Sequence, residues 1–423
     1  MGFLRSLSAG VTGLRNNTTM MDIIGNNVAN INTTGFKSSR VLFGELFSQT
    51  LRGATGATNT SGGIDPMQVG LGSSVETIAR NFSQGSIEST GNDSDLAIQG
   101  TGFFVVNTGG KNLYTRVGSF QRDANGNLVM SGIGAIVQGT LADAQGVIPP
   151  GATLQNMSID VNRTSAPKAT DAVSMSGNLD ASAAAYVPAS AGPPPVAESG
   201  GKALSTLTVF DSLGNKHTLS VGMTKNAANN TWDYTVTDEN NTAVGNGTLT
   251  FNPDGSVATG SPAVIPTINL ANGANPLDIT IDFANVTQDQ GAATLTPQNI
   301  NGYGIGTMSG WSVDQNGFIT ANFTNGQLLK LGQVMLAEFN NPSGLASTGN
   351  GLYDMSPNSG IASISAPGGG TRSQIVPDSL EQSNVDLSQE FTQMIIAQRG
   401  FQANAKVITT SDDILNDLVN LKR

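Results

Sequence analysis

Apolar residues recur at alternating steps of three and four at both ends of the chain. Near the N-terminus Leu4, Leu7, Val11, Leu14, Met21 and Val28 fall on this spacing. Near the C-terminus Leu387, Phe391, Met394, Phe401, Ala405, Ile408, Leu415 and Val419 do the same. A 3-4 repeat lays one apolar stripe along a helix, the spacing of a coiled-coil seam, and marks these residues as a subunit interface. Asp386 stands before the second stripe with Gln389 three residues on, a helix-start signal. That helix is expected to run to about Leu421, a rod of about 55 Å at 1.5 Å per residue. The first helix carries Gly10, Gly13 and Gly25, each costing about 1 kcal/mol relative to alanine. It is therefore expected to be disordered in the free chain and helical once a partner covers its stripe. A helical hairpin within one chain is the alternative.

The first stripe ends in GNNVANINTTGFK, residues 25–37. Asn26, Asn27, Asn30 and Asn32 crowd into it, although asparagine competes for backbone hydrogen bonds and is a poor helix-interior residue. Asn32, Thr34 and Gly35 read as the helix exit, with Gly35 free to take positive φ. Asn26, Asn27 and Asn30 have two readings. They bond backbone carbonyls of neighbouring helices in a crowded assembly, or they fray the last turn.

Between the helices the period changes to two. Residues 44–72 are rich in Gly, Ser, Thr and Asn and read as an extended linker. Strand-like alternation follows at 95–106 and 113–120, and again at 204–211, 217–224, 231–238 and 247–255. Seven Asn-Gly pairs supply hairpin turns. Trp232 and Tyr234 share a parity and should anchor a sheet core. The expected fold class is α+β and mostly β, with nested β domains inserted between N- and C-terminal coiled-coil helices. The expected domains are 1–43 plus 380–423 (helical), 73–145 plus 291–379 (middle β) and 146–290 (outer inserted β).

Composition narrows the chemistry. The chain has 423 residues, a net charge of −11, no cysteine and one histidine, His217. Thiolate metal sites, disulfides and Cys nucleophiles are excluded, and an acidic surface disfavours nucleic acid and anionic membranes. His217 opens a strand beside Lys216 and reads as an edge residue. The DxNG turns at 123–127 and 314–317 faintly resemble calcium loops but lack the ligand count and the distal glutamate. No catalytic, metal or cofactor residue is expected, and no enzyme activity. No apolar run reaches membrane-span length, and the N-terminus lacks the continuous apolar region of a cleavable signal peptide. A transit peptide is the weaker reading there, since the helical pattern runs on unbroken.

Three blocks carry a resemblance: NNVANINTTGFK (26–37), LAIQGTGFFVV (96–106) and LEQSNVDLSQEFTQMIIAQRGFQANAKVI (380–408). They look like the signature blocks of the bacterial flagellar rod and hook protein family. Asn26, Asn27, Asn30, Asn32, Thr34, Gly35, Phe36 and Lys37 are its first motif. The blocks from SGNLDA (176–181) to FNPDG (251–255), and 312–345, are similar to hook members of that family. The resemblance implies a tubular polymer with the terminal helices as an inner coiled coil. It implies type III export, an extracellular place in the hook and basal body, and a universal joint passing torque to the filament. The implied partners are further copies of the chain, the distal rod, a hook cap, junction proteins and the export apparatus. Cross-linking through Cys and Lys, which some members use, is excluded here. A distal rod protein, or a monomeric secreted β-rich adhesin, are the alternatives.

Overall fold

The computed structural model describes residues 2–57, 62–192, 194, 196–270, 272–369 and 372–420. The side chains at 2–4, 418 and 419 lie outside the described residues, among them the expected seam positions Leu4 and Val419. The chain divides into two compact units. The first comprises Met1–Asp160, Trp311–Ala321 and Lys330–Arg423; the second comprises Val161–Gly310 and Asn322–Leu329.

In the first unit, helix α1 (Gly2–Ala29) and helix α2 (Leu387–Asn420) form as the 3-4 pattern requires. Asp386 caps α2: its Oδ1 accepts from the Ser388 N–H at 2.8 Å and the Gln389 N–H at 3.3 Å. The stretch after α1 turns out of the helix and reaches Gly35 at φ 67°. The two helices are formed and packed antiparallel within one chain, where disorder of the free helix was expected. The reason is steric. Gly10 and Gly13 remove side chains where α2 comes closest, so glycines that weaken an isolated helix permit this packing.

Residues 44–72 also depart from the extended linker. Strands β1 (Ser39–Glu45) and β4 (Ser73–Arg80) pair antiparallel, and β2 (Ser48–Arg52) with β3 (Met67–Gly70) carries the hairpin outward. The apolar residues Phe43, Phe47 and Leu51 are spaced on one strand parity, a signal that the surrounding Gly and Ser obscured. Phe47 is 88 % exposed.

One core cluster of the first unit is rich in aromatic side chains. Phe103, Tyr114, Phe339 and Tyr353 are buried. Phe82 packs edge-on against Phe103 and Tyr353. Strand Leu96–Gln99 pairs with Gln374–Pro377, whereas Phe103–Thr108 pairs with Lys111–Thr115 and Ile136–Leu141. The break falls at Gly100, whose φ is 120° and whose Cβ would stand 2.7 Å from the Arg372 carbonyl oxygen.

The second unit holds two sheets around one core. Five antiparallel strands follow in order: Lys202–Phe210, Lys216–Lys225, Thr231–Thr237, Ala243–Phe251 and Val257–Thr259. Along Lys202–Phe210, Ala203, Ser205, Leu207 and Val209 are buried and their neighbours exposed or partly so, as period-two alternation demands. The second sheet sets Ala172–Asp180 between Thr280–Asp289, parallel, and Thr294–Ile300, antiparallel. Trp232 and Tyr234 are buried in this core.

The unit starts and ends later than the expected 146–290. The Met157 and Ile159 amides bond to Val137 and Gly126 of the first unit, so residues before Val161 stay there. At the other end Thr294–Ile300 is a strand of the second unit's sheet, and Leu295 enters its core. Pro297 and the polar residues around it hid that strand from a sequence reading.

Candidate assembly interface

The asparagine run seats the base of α1. Asn27 is buried and makes three bonds. Its Oδ1 accepts from the Ser39 N–H at 3.0 Å, and its Nδ2 donates to the Ser39 carbonyl at 2.8 Å and to Glu390 Oε1 at 3.0 Å. One side chain thus joins α1, β1 and α2. Asn30 donates back to the Asn26 carbonyl at 2.9 Å and to Asn26 Oδ1 at 3.1 Å, closing the last turn. These bonds lie within one chain: Asn27 reaches the neighbouring helix at the Glu390 carboxylate rather than at a backbone carbonyl, because the return of β1 alongside α1 and the start of α2 bring these groups within reach. Asn26 and Asn32 are exposed.

Gly35 and Lys37 lead into a buried ionic cluster. The Gly35 N–H donates to the Glu381 carbonyl at 2.7 Å, and a Cβ there would stand 2.9 Å from backbone atoms of Arg116 and Val117. Lys37 Nζ lies 2.7 Å from Glu381 Oε1 and Arg116 Nη1 lies 3.3 Å from Glu381 Oε2; all three side chains are essentially sealed from solvent. Lys37 also donates to the Ser83 carbonyl and Arg116 to the Gly100 carbonyl. The Arg116 guanidinium lies 5.1 Å from the Phe103 ring centre. Burial pushes the Lys37 ammonium below its usual range, and the Glu381 charge opposes that shift. Burial likewise lowers Arg116, again opposed by Glu381. Exposed Asn26, with Asn30, Thr34, Phe36, Arg80 and Tyr353, borders a cleft of about 630 Å³.

The described seam positions remain accessible. Val11, Leu387, Phe391, Phe401 and Leu415 are exposed; Leu7, Leu14, Met21, Val28, Met394, Ala405 and Ile408 are half-buried. None is buried. The faces that meet within the chain carry Gly10, Asn16, Ile24 and Asn27 on α1, and Glu390, Ala397 and Ser411 on α2. Three large side chains of α2 point elsewhere, with Phe391 51 %, Ile395 58 % and Ile396 60 % exposed.

Ile395, Ile396, Arg116, Glu381 and Glu390 were missed in the sequence. Ile395 and Ile396 sit beside the 3-4 positions, and their adjacency widens the stripe. No local pattern marks Arg116, Glu381 or Glu390, whose roles come from partners far along the chain. His217 lies on its strand with Nε2 3.1 Å from Asp211 Oδ2. Asp211 Oδ1 accepts from the Leu213 and Asn215 N–H groups. The DxNG turns use their aspartates in the same way: Asp123 takes the amides of Asn125 and Asn127, and Asp314 those of Asn316 and Phe318. No cluster of three or more His, Cys, Asp or Glu able to hold a metal occurs among the described residues.

Four family models match along the chain. They are the flagella basal body rod protein at 7–37 and the flagellar hook protein FlgE/F/G D1 domain at 97–164. The flagellar basal body protein FlaE D2 domain matches at 178–303, and the flagellar basal body rod FlgEFG protein C-terminal model at 376–421. The flagellar hook protein FlgE of Borreliella burgdorferi is 37 % identical over 446 residues, covering 99 % of this chain and 100 % of its own length. The chain belongs to the flagellar hook protein family. The Escherichia coli flagellar hook protein FlgE is also 37 % identical, over 427 residues and the same shares of both chains. A flagellar basal-body rod protein FlgG of Bacillus subtilis is 31 % identical over 421 residues, covering 99 % of this chain and 100 % of its own. The crystal structure of Helicobacter pylori flagellar hook protein FlgE2 shares the fold at a TM-score of 0.50 and 15 % identity, covering 70 % of this chain and 100 % of its own. In this hook-family chain the motif residues that are buried join the helices to the β-rich part, and the apolar stripes are left accessible.

Proposed function

We propose that the chain is the structural subunit of the bacterial flagellar hook, a self-assembling tube that passes torque from rod to filament while bending. The observation that carries this is the open apolar face of α2. Phe391, Ile395 and Ile396 are each more than half exposed on a helix whose inner face is already occupied. Such a surface is costly in water and is relieved when copies pack side by side. In this reading the expected seam residues meet their counterparts on neighbouring copies, and the exposed β2–β3 hairpin finds cover on the same assembly. The D2-type match at 178–303 supports the hook over the rod. The distal rod, a hook cap and junction proteins are the further partners, reached after export through the flagellar type III apparatus.

The test is sedimentation and electron microscopy of the purified chain, paired with rescue of a bacterium lacking its hook protein. The hook reading requires tubular polymers and restored swimming. A chain that stays monomeric at every concentration and fails to restore a hook would overturn it. Ile395→Asn with Ile396→Asn should abolish polymer while leaving the β units folded.

A further inference from the structure

Each of the seven Asn-Gly pairs is a place where the chain can modify itself. Asparagine is thermolabile, and a following glycine leaves the next backbone nitrogen unshielded by any side chain. That nitrogen attacks the asparagine side-chain carbonyl when two conditions hold. The side-chain amide must be free to swing, and the next N–H must be free of a hydrogen bond.

Six of the pairs are restrained. Asn125 and Asn316 sit in turns whose next N–H is taken: Gly126 donates to the Asp123 carbonyl at 3.1 Å and Gly317 to the Asp314 carbonyl at 2.9 Å. Asn325 is held twice, because the Gly326 N–H donates to the Phe323 carbonyl at 2.9 Å and its own Nδ2 to the Gly304 carbonyl at 2.9 Å. Asn246 and Gly247 lie inside a strand, paired with Thr235 and Tyr234, where the ladder fixes the backbone extended. Asn301 Oδ1 accepts from the Asp171 and Ala172 N–H groups, each at 3.2 Å, and its Nδ2 donates to the Asp171 carboxylate. Asn272 Nδ2 donates to the buried Asp211 carboxylate, and its Oδ1 accepts from the Ala274 N–H at 3.0 Å.

Asn350 escapes all of these restraints. It is exposed, and neither its side chain nor the Gly351 N–H has a hydrogen-bond partner among the described residues. Gly349 pairs with Leu352, so Asn350 and Gly351 form a hairpin loop outside the ladder, with φ 54° and 75°. The Gly351 carbonyl accepts from the Thr115 hydroxyl at 2.8 Å. The peptide between 350 and 351 can therefore rotate while the strand beyond it stays anchored. Packing also fixes the glycine: a Cβ at 351 would stand 2.6 Å from Val117 Cγ2.

We propose that Asn350 is a site of spontaneous deamidation, the fastest of the seven pairs in the folded chain. The Gly351 backbone nitrogen loses its proton to solvent and bonds to Asn350 Cγ. The Cγ–Nδ2 bond breaks, and Nδ2 leaves as ammonia after taking a proton from water. A second water opens the cyclic imide at either carbonyl, leaving aspartate or isoaspartate. The net change is amide plus water to acid plus ammonia, with no oxidant and no enzyme. The product sets a carboxylate on the cleft that Arg80 also lines. In the isoaspartate form the backbone gains a methylene just before Leu352 and the buried Tyr353.

The test incubates the full-length chain at low concentration in warm, mildly alkaline buffer, with a parallel sample in concentrated urea. Samples are digested under acidic conditions, and each Asn-Gly peptide is quantified by mass spectrometry, with isoaspartate separated from aspartate by chromatography. In the folded chain Asn350 should convert several-fold faster than any of the other six. In urea, where every restraint is gone, that lead should shrink to near equality. Another pair that matches or overtakes Asn350 in the folded chain overturns the proposal. A lead that persists undiminished in urea means that local sequence and not the fold selects the site, and overturns it equally.

Discussion

Lys37, Arg116 and Glu381 place two cations around one anion, all with side chains at most 1 % exposed. The pairing offsets a large desolvation cost, and the offset fails if the anion is removed. Glu381→Gln should therefore destabilise the first unit by about 3–5 kcal/mol, the cost of leaving a buried charge without its partner. Urea titration followed by Trp311 fluorescence, with Trp232 replaced by Phe, checks this; an unchanged midpoint would mean that the cluster is not structural. Gly35 is constrained at the same place. Its positive φ and the backbone of Arg116 and Val117 leave no room for a methyl group. The motif from Asn26 to Lys37 is thus read by its buried members, Asn27, Gly35 and Lys37, while its exposed members lie on the surface of the same unit.

At the scale of the element, the helix pair contains a buried carboxylate. Glu390 Oε1 accepts from Asn27, and Oε2 has no partner among the described residues. Burial raises the Glu390 carboxyl above its ordinary 4.5, the Asn27 bond opposes this, and the Asp386 charge adds to it. A raised carboxyl favours the paired helices while it is protonated. Its contribution is full below the unfolded value and is lost as pH rises through the folded value. The helix pair should melt at a lower temperature at pH 7.5 than at pH 4.5. Glu390→Gln keeps an oxygen for Asn27 and removes the charge, so it should raise the neutral-pH melting temperature and flatten this dependence. Helical ellipticity against temperature at the two pH values is the measurement. A variant with the same pH slope as the parent would place the dependence elsewhere.

The whole molecule adds two expectations. A fragment of residues 161–329 contains both sheets of the second unit and should melt cooperatively. A fragment of 146–290 lacks the strand Thr294–Ile300, uncovers Val173 and Met175, and should not fold. Calorimetry of the two fragments decides; cooperative melting of the shorter one would mean that this strand is dispensable. Charge is distributed by region as well. Residues 1–45 carry +2, residues 385–423 carry −1, and the remainder carries −12. Packing copies through the helices therefore costs little electrostatically, while repulsion between the acidic parts is screened over about 10 Å at 0.1 M salt. Polymer yield should rise with NaCl, and more steeply with ammonium sulfate, which also strengthens apolar burial. A yield that falls steadily with NaCl would show that attractive ion pairs hold the copies together.

The sequence alone determined what depends on neighbours along the chain. Both helices, the Asp386 cap, the alternation of Lys202–Phe210 and the turn at Gly35 follow from local spacing and local backbone chemistry, so they were legible. The tertiary structure decided what depends on partners brought from afar. Arg116 and Glu381 are ordinary charged residues until the fold brings them to Lys37 and seals all three. Thr294–Ile300 is an undistinguished polar segment until Ala172–Asp180 lies beside it. The glycines of α1 weaken a lone helix, and only the approach of Asn404 and Ile408 turns the missing side chains into the fit that pairs it with α2. The 3-4 stripe marked the apolar face, but which face stays open was settled by close packing: small side chains let the backbones approach, and Phe391, Ile395 and Ile396 were left outside.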